Sequence, residues 1–175
     1  MAKAVLLSIQ PKWCELIASG RKTLEVRKNR PTLDTPFKCY IYCTKGDPSD
    51  AGDDFWLHDL ETFRSIKGNG RVIGEFMCEK VVPIKVFKNG TIQNYMFYDL
   101  EQTMMHYGDI AKYIGEGRDG CGWHISDLKI YSKPKYLSGF TGLRKTKFGL
   151  EPVRIRRAPQ SWCYVEEESG GAVFK

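Results

Sequence analysis

The chain has no uninterrupted apolar run of the roughly eighteen residues that a membrane-crossing helix needs, so no membrane span is expected. Histidine is scarce, at three in 175 residues, and none stands at zinc-finger spacing. The six cysteines, Cys14, Cys39, Cys43, Cys78, Cys121 and Cys163, form no Cys-x-x-Cys pair. Without either pattern, no metal site and no cofactor are expected. Cys39 and Cys43 flank Ile41 in "FKCYIYCT", where Phe37, Cys39, Ile41 and Cys43 share one face of a strand. The thiols therefore read as small buried hydrophobes rather than disulfide partners. Internal repeats and low-complexity segments are missing too, which excludes solenoids and arrays. No signal-peptide pattern opens the chain: "AVLLSI" is short, and Gln10 and Pro11 follow it. It reads as a first strand, and the expected compartment is a reducing cytoplasm.

What is present is globular in character, with 42% hydrophobic and 13% aromatic residues. The length suits one domain, over residues 1–165, with an insertion near 45–67 and a flexible tail at 166–175. The net charge of +6 is unevenly spread. Residues 1–30 hold seven Lys/Arg against two acids, and residues 120–157 hold nine against two. Two basic blocks that meet in space would make a footprint for a polyanion. If they do not meet, they are an ordinary soluble surface.

Periodicity predicts an order made mainly of strands. "AVLLSI" (4–9) is a buried strand, and Pro11 opens a short helix carrying Trp13, Leu16 and Ile17, which Gly20 ends. "KTLEVRK" (22–28) alternates and is a strand. "FKCYIYCT" (37–44) is another. Phe55, Trp56, Leu60, Phe63 and Ile66 predict an amphipathic helix over 53–66, capped by Asp53 or Asp54. Residues 68–84 predict one long strand, with "KNGT" a hairpin turn after it. One or two short helices broken near Gly108 are expected at 99–115. "GCGWHISDLKIYS" reads as a strand, "PKYLSGF" as a turn with a helical piece, and "APQSWCYVEE" as the last strand. "GEGRDGCG" precedes a strand and not a helix, so it is a turn and not a phosphate loop. The fold class is α+β, a small, mostly antiparallel β-barrel with a helix after the first strand.

Within residues 18–31, "ASGRKTLEVRKNRP", five cations surround one carboxylate. Glu25 and Arg27 lie two apart on one strand, about 7 Å between Cα atoms, and can enter one pocket. The alternative is a salt-bridge ladder on a solvated strand. "LLSIQPKWCELIASGRKTLEVRK" resembles the N-terminal signature of the ASCH domain, a family of the PUA-like superfamily. Its pattern G-x-K-x-x-E-x-R falls on Gly20, Lys22, Glu25 and Arg27. "RVIGEFMCEKV", with Glu75, resembles a later strand of the family. "CGWHISDLKIYSKPKYLSGF" and "APQSWCYVEE" resemble the closing segments of phage and bacterial members.

The resemblance implies a PUA-like barrel whose cleft, lined by the motif, binds RNA or a modified nucleotide; DNA is a further possible partner. Lys22 and Arg27 would then neutralise phosphate or meet a base edge. Glu25 would orient them or accept from a base amino group. The competing implication is a small hydrolase acting on an acylated nucleoside or on RNA, with Lys22, Glu25 and Glu75 as candidate catalytic residues. That branch uses a Thr three residues after the Lys, a position Glu25 occupies here. The deacylating chemistry thus loses its nucleophile, while a Lys/Glu/Arg set could still support acid–base cleavage of RNA.

Trp123, His124, Trp162 and Tyr164 add aromatic surface. One aromatic pair is expected at the cleft, with Trp162 and Tyr164 as candidates for stacking a base, and the other in the core. His124 reads as structural. "GLRKTKFGLEPVRIRRAP" (142–159) holds Arg144, Lys145, Lys147, Arg154, Arg156 and Arg157 against one Glu. Such a run tracks a phosphate backbone or forms a solvated loop. A third reading makes the face with Phe55, Trp56 and Phe63 a protein-docking surface.

Overall fold

The computed structural model describes residues 2–168 except 48, 51, 60–61 and 94–99. Strand β1 (Lys3–Ile9) runs parallel to β3 (Phe37–Cys43) on one side and antiparallel to β13 (Trp162–Glu166) on the other. A parallel pair needs a crossover, and helix α1 (Pro11–Ala18) with strand β2 (Leu24–Arg27) supplies it. Being central, β1 is buried on both faces, which is why its sequence is a continuous apolar run and does not alternate. Val5, Leu7 and Ile9 enter one core cluster, Ala4 and Leu6 a second on the opposite face. In β3 the same division puts Phe37, Cys39, Ile41 and Cys43 in the first cluster and Tyr40 and Tyr42 in the second. The shared face expected for those four residues is therefore present, and all six cysteines are free thiols.

Strands β6 (Arg71–Cys78), β10 (Ser126–Lys135), β11 (Thr141–Thr146) and β12 (Gly149–Arg154) complete a seven-stranded sheet in the order β10-β6-β3-β1-β13-β11-β12. A second sheet has the order β2-β9-β7-β8, with β7 (Val81–Val86), β8 (Ile92–Gln93) and β9 (Asp119–His124). Helix α2 (Tyr107–Ile114) covers this second sheet through Ile110, Ala111 and Ile114, which meet Val26, Ile84 and Val86. A Cβ on Gly120 would stand 2.6 Å from Ile114 Cδ1, so a larger residue there would displace that side chain.

The α+β class is as expected, but among the described residues no sheet closes into a barrel. The chain instead turns corners between two open sheets. Residues 68–84, expected as one strand, divide at Glu79–Lys80 into β6 and β7, which belong to different sheets. "GCGWHISDLKIYS" likewise divides at Ile125 into β9 and β10. The apolar alternation is interrupted at both corners, by Lys80 in the first and by a change of phase between Ile125 and Leu128 in the second, but an interruption does not say that the chain changes sheet.

The helix expected over 53–66 is instead a hairpin of β4 (Trp56–Asp59) and β5 (Arg64–Lys67). Phe55 N–H donates to Asn69 Oδ1 at 2.8 Å, and Asn69 Nδ2 donates to the Asp53 carbonyl at 2.9 Å. These bonds hold the segment extended, and the would-be apolar stripe dissolves: Phe55 is buried while Phe63 is 92% exposed. Leu60 lies outside the described residues. Helix α2 starts at Tyr107 and runs through Gly108; the break expected near Gly108 falls just before it, at residues 102–106, with residues 100–101 helical again on the other side. In "GEGRDGCG", Gly115 and Gly117 form the turn with positive φ, and Gly120 and Gly122 lie within β9. The 142–159 run, read as tracking a phosphate backbone or forming a solvated loop, is mostly the β11–β12 hairpin.

Candidate functional site

The site is made where β2 meets the end of α1. Gly20 turns the chain at φ 75°, and Lys22 N–H donates to the Leu16 carbonyl at 2.9 Å. Strand β2 then pairs with β9, placing Glu25 opposite Trp123 and Arg27 opposite Cys121. Directly opposed side chains share a face, so Glu25 and Arg27 point into the space between the two sheets, beside fully buried Trp123. A cavity of about 310 Å³ opens there, bordered also by Ser8, Gln10, Trp13, Tyr113 and Ser161.

Lys22, Glu25 and Arg27 all line this cavity, and they are 1%, 4% and 6% exposed. The solvated salt-bridge ladder is thereby excluded for these three. Arg27 Nη1 donates to Glu25 Oε1 at 2.6 Å and to the Val26 carbonyl at 3.0 Å, and Nη2 donates to the Ser8 carbonyl at 2.9 Å. Lys22 Nζ donates to the carbonyls of Thr103 at 2.7 Å and Leu24 at 3.0 Å. It also lies 3.3 Å from Glu25 Oε2 and 5.0 Å from the centre of the Trp13 ring. Burial lowers the Lys22 pKa, opposed by the Glu25 carboxylate.

Counting donors separates the roles of the two cations. An ammonium has three N–H groups; Lys22 commits two to backbone carbonyls and leans the third on Glu25. Lys22 is a structural charge with little left for a ligand. A guanidinium has five, and three of Arg27's are used. Arg27 Nε is buried with no hydrogen-bond partner, and so is Glu25 Oε2, whose contact with Lys22 is an ion pair outside hydrogen-bond geometry. Buried polar atoms without partners are costly. Here one unused donor and one unused acceptor belong to neighbouring side chains of a single cavity.

The other expected residues lie elsewhere. Glu75, on β6, faces the second core cluster, where Tyr131 Oη donates to its Oε2 at 2.5 Å and Lys38 Nζ lies 3.8 Å from its Oε1. It does not border the cavity. Burial, reinforced by Glu75, raises the Tyr131 pKa. Trp162 and Tyr164 pack edge-to-face at 5.3 Å, and Trp162 continues to Trp123 at 6.0 Å. Their polar ends hold the loop after β2: Trp162 Nε1 donates to Asn29 Oδ1 at 2.9 Å, and Tyr164 Oη accepts from Thr32 N–H at 2.8 Å. Neither borders the cavity. Trp123 is core, as one aromatic pair was expected to be. Arg144, Lys145, Lys147, Arg154, Arg156 and Arg157 are all exposed on or just after the β11–β12 hairpin.

Sequence reasoning placed Trp13 on the apolar stripe of α1 and missed its position beneath Lys22. It also missed Ser8, Gln10 and Ser161, which are small polar residues at element ends. Their one signal is the interruption of apolar patterning at "SIQP" and "PQSW".

Comparison with known proteins agrees with this geometry at the level of family and fold. No curated protein gives a significant match. Two solved structures, an ASCH protein from Zymomonas mobilis and a point mutant of it, both superpose with a TM-score of 0.54. Identity is 17% for the first and 16% for the mutant; both cover 94% of this chain, and they are covered over 89% and 91% of their own. At such identity the likeness shows the fold alone. The family model of the ASCH domain matches residues 7–105, a span that includes the end of β1, all of α1 and the whole Lys22–Glu25–Arg27 cluster, and the chain belongs to the ASCH domain family.

Proposed function

We propose that the chain binds RNA, or a modified nucleotide, through the cavity at Lys22, Glu25 and Arg27. The observation that carries this reading is that Arg27 Nε and Glu25 Oε2, both without a hydrogen-bond partner, belong to side chains that line one cavity. A nucleobase edge offers donors and acceptors side by side, and Glu25 Oε2 suits an exocyclic amino group. The ring of Trp13 offers an apolar wall. The three charged groups sum to one positive charge, which favours a ligand carrying phosphate nearby. Gln160 and Ser161, which follow the basic 144–157 run in the chain, border the cavity itself.

Binding is favoured over hydrolysis by the state of Lys22. Two backbone carbonyls and the Glu25 carboxylate already engage the Lys22 amine, which places it badly for attack on a substrate even though burial lowers its pKa. Glu75, the other catalytic candidate, is engaged by Tyr131 away from the cavity.

The test is a titration of labelled single-stranded RNA at two salt concentrations with wild type, Arg27→Met and Lys22→Met. RNA integrity is followed in the same samples. Affinity is expected to fall steeply with salt and to drop more than tenfold in Arg27→Met, with a smaller loss in folded Lys22→Met. Salt-independent affinity, or equal affinity in wild type and a folded Arg27→Met, removes the reading. RNA cleavage by wild type but not by Lys22→Met reinstates the hydrolase.

A further inference from the structure

The β11–β12 hairpin forms the far edge of the seven-stranded sheet. Its register pairs Thr146 with Gly149, so Lys147 and Phe148 form a two-residue tip. Six residues per strand make a ribbon about 20 Å long. The tip is fixed: the Thr146 hydroxyl accepts from Phe148 N–H at 3.1 Å and lies 3.0 Å from the Gly149 carbonyl and 3.2 Å from Glu151 Oε1. Gly149 takes φ 120°, a conformation that side chains disfavour.

This tip presents Phe148 at 82% exposure, with Lys147 Nζ 4.9 Å from its ring centre. Below it, opposed pairs share a face. Arg144 and Glu151 lie on one side of the ribbon; Lys145 with Leu150, and Arg154 with Thr141, lie on the other. Cations therefore stand on both faces. Arg156 and Arg157 follow at the base, also exposed. None of these six cations forms an ion pair among the described residues. Glu151, the one carboxylate, is within reach of the Thr146 hydroxyl.

A surface for a single strand would put aromatic rings on one face of a sheet. This ribbon has charge on two faces and its aromatic ring at the end. That suits a groove, where phosphates line two walls and the base stack forms the floor. We propose that the β11–β12 hairpin is an arm that enters a groove of double-stranded nucleic acid. Arg144 on one face and Lys145 and Arg154 on the other meet the two phosphate walls, and Phe148 rests against the base pairs. The proposal deepens the nucleic-acid reading but uses a different site from the cavity, so the two fail separately.

The test compares full-length wild type, the triple variant Arg144→Gln/Lys145→Gln/Lys147→Gln, Phe148→Ser and Arg27→Met. Probes are blunt duplex DNA, duplex RNA, single-stranded RNA and phosphatidylserine vesicles. All arm substitutions are at exposed positions, so folding is expected to be unchanged by thermal melt. Duplex affinity is expected to fall at least tenfold in the triple variant, with the salt slope reduced by roughly 2 to 3 units. Phe148→Ser is expected to lower it several-fold with little change of slope, while Arg27→Met, read on single-stranded RNA, reports on the cavity separately. A preference for DNA identifies a B-form groove and one for RNA an A-form groove; both uphold the arm. Duplex affinity unchanged in the triple variant overturns it. So does an equal loss on single strands, or binding to vesicles alone.

Discussion

The ammonium of Lys22 donates to the backbone carbonyl of Thr103 at 2.7 Å, joining residues 81 positions apart in the chain. Thr103 is fully buried, and Thr23 and Leu24 N–H both donate to the Gln102 carbonyl beside it. The cavity thus owes one wall to a distant segment that a buried charge holds in place. Met105, two residues on, borders the cavity.

Removing the shared carboxylate is expected to leave two buried cations without compensation. Glu25→Ala should cost about 3–5 kcal/mol, lowering the melting temperature on the order of 10 °C for a chain of this size. Thermal denaturation followed by circular dichroism measures it. A shift under about 2 °C would mean that water or rearrangement supports both cations.

Arg27→Lys is expected to keep the charge and lose the site. One ammonium cannot reproduce three hydrogen bonds to Glu25, Val26 and Ser8 and still offer a fixed donor to a ligand. Nucleotide affinity measured by calorimetry should fall at least tenfold while the protein stays folded. Full affinity would reduce the role of Arg27 to charge alone.

Stability is expected to fall as pH rises through the alkaline range. Burial raises the pKa values of Cys14 and Cys39 well above the ordinary thiol value, and those of Cys78 and Tyr40 to about 12. The unfolded chain therefore loses these protons first, and the folded state binds more protons. Each such thiol then contributes a loss of about 1.4 kcal/mol per pH unit above its ordinary pKa. Lys22 acts oppositely: its lowered pKa makes its own contribution rise with pH towards 10.5. One group is outweighed by several. Urea midpoints between about pH 8 and 10 should decrease; a flat or rising profile contradicts the burial assigned to the thiols.

Tyr164→Phe is expected to be a stability variant only. It deletes the acceptor of Thr32 N–H, worth about 1 kcal/mol. RNA affinity should be unchanged. A loss of affinity without a loss of stability would return Tyr164 to the ligand, as the sequence reading had it.

Gly74→Ala tests the sheet. A Cβ there would stand 2.5 Å from the Lys129 carbonyl oxygen, a backbone atom of β10. The two strands must separate, at a cost of about 1–3 kcal/mol. Chemical denaturation measures it.

Much of the site was legible because its residues are adjacent in sequence. Gly20, Lys22, Glu25 and Arg27 fall within one turn and one strand, and alternation alone puts Glu25 and Arg27 on a common face. The catalytic candidate Glu75 was not placed correctly from sequence. Whether a strand residue faces one core or another depends on which sheet face the cleft occupies, and β6 is buried on both. The helix expected at 53–66 failed because apolar spacing there is compatible with two periods, and Asn69, outside the segment, decides between them.

By itself the sequence determined the order of β1, α1, β2 and β3, the burial of the thiols in β3 and the charged motif on β2, since each follows from local periodicity and spacing. Only the tertiary structure decided where the strands change sheet, that Lys22 spends its donors on Thr103 and Leu24, and that Trp162 and Tyr164 clamp a loop. Those outcomes depend on pairings between residues far apart in the chain, which local pattern does not encode.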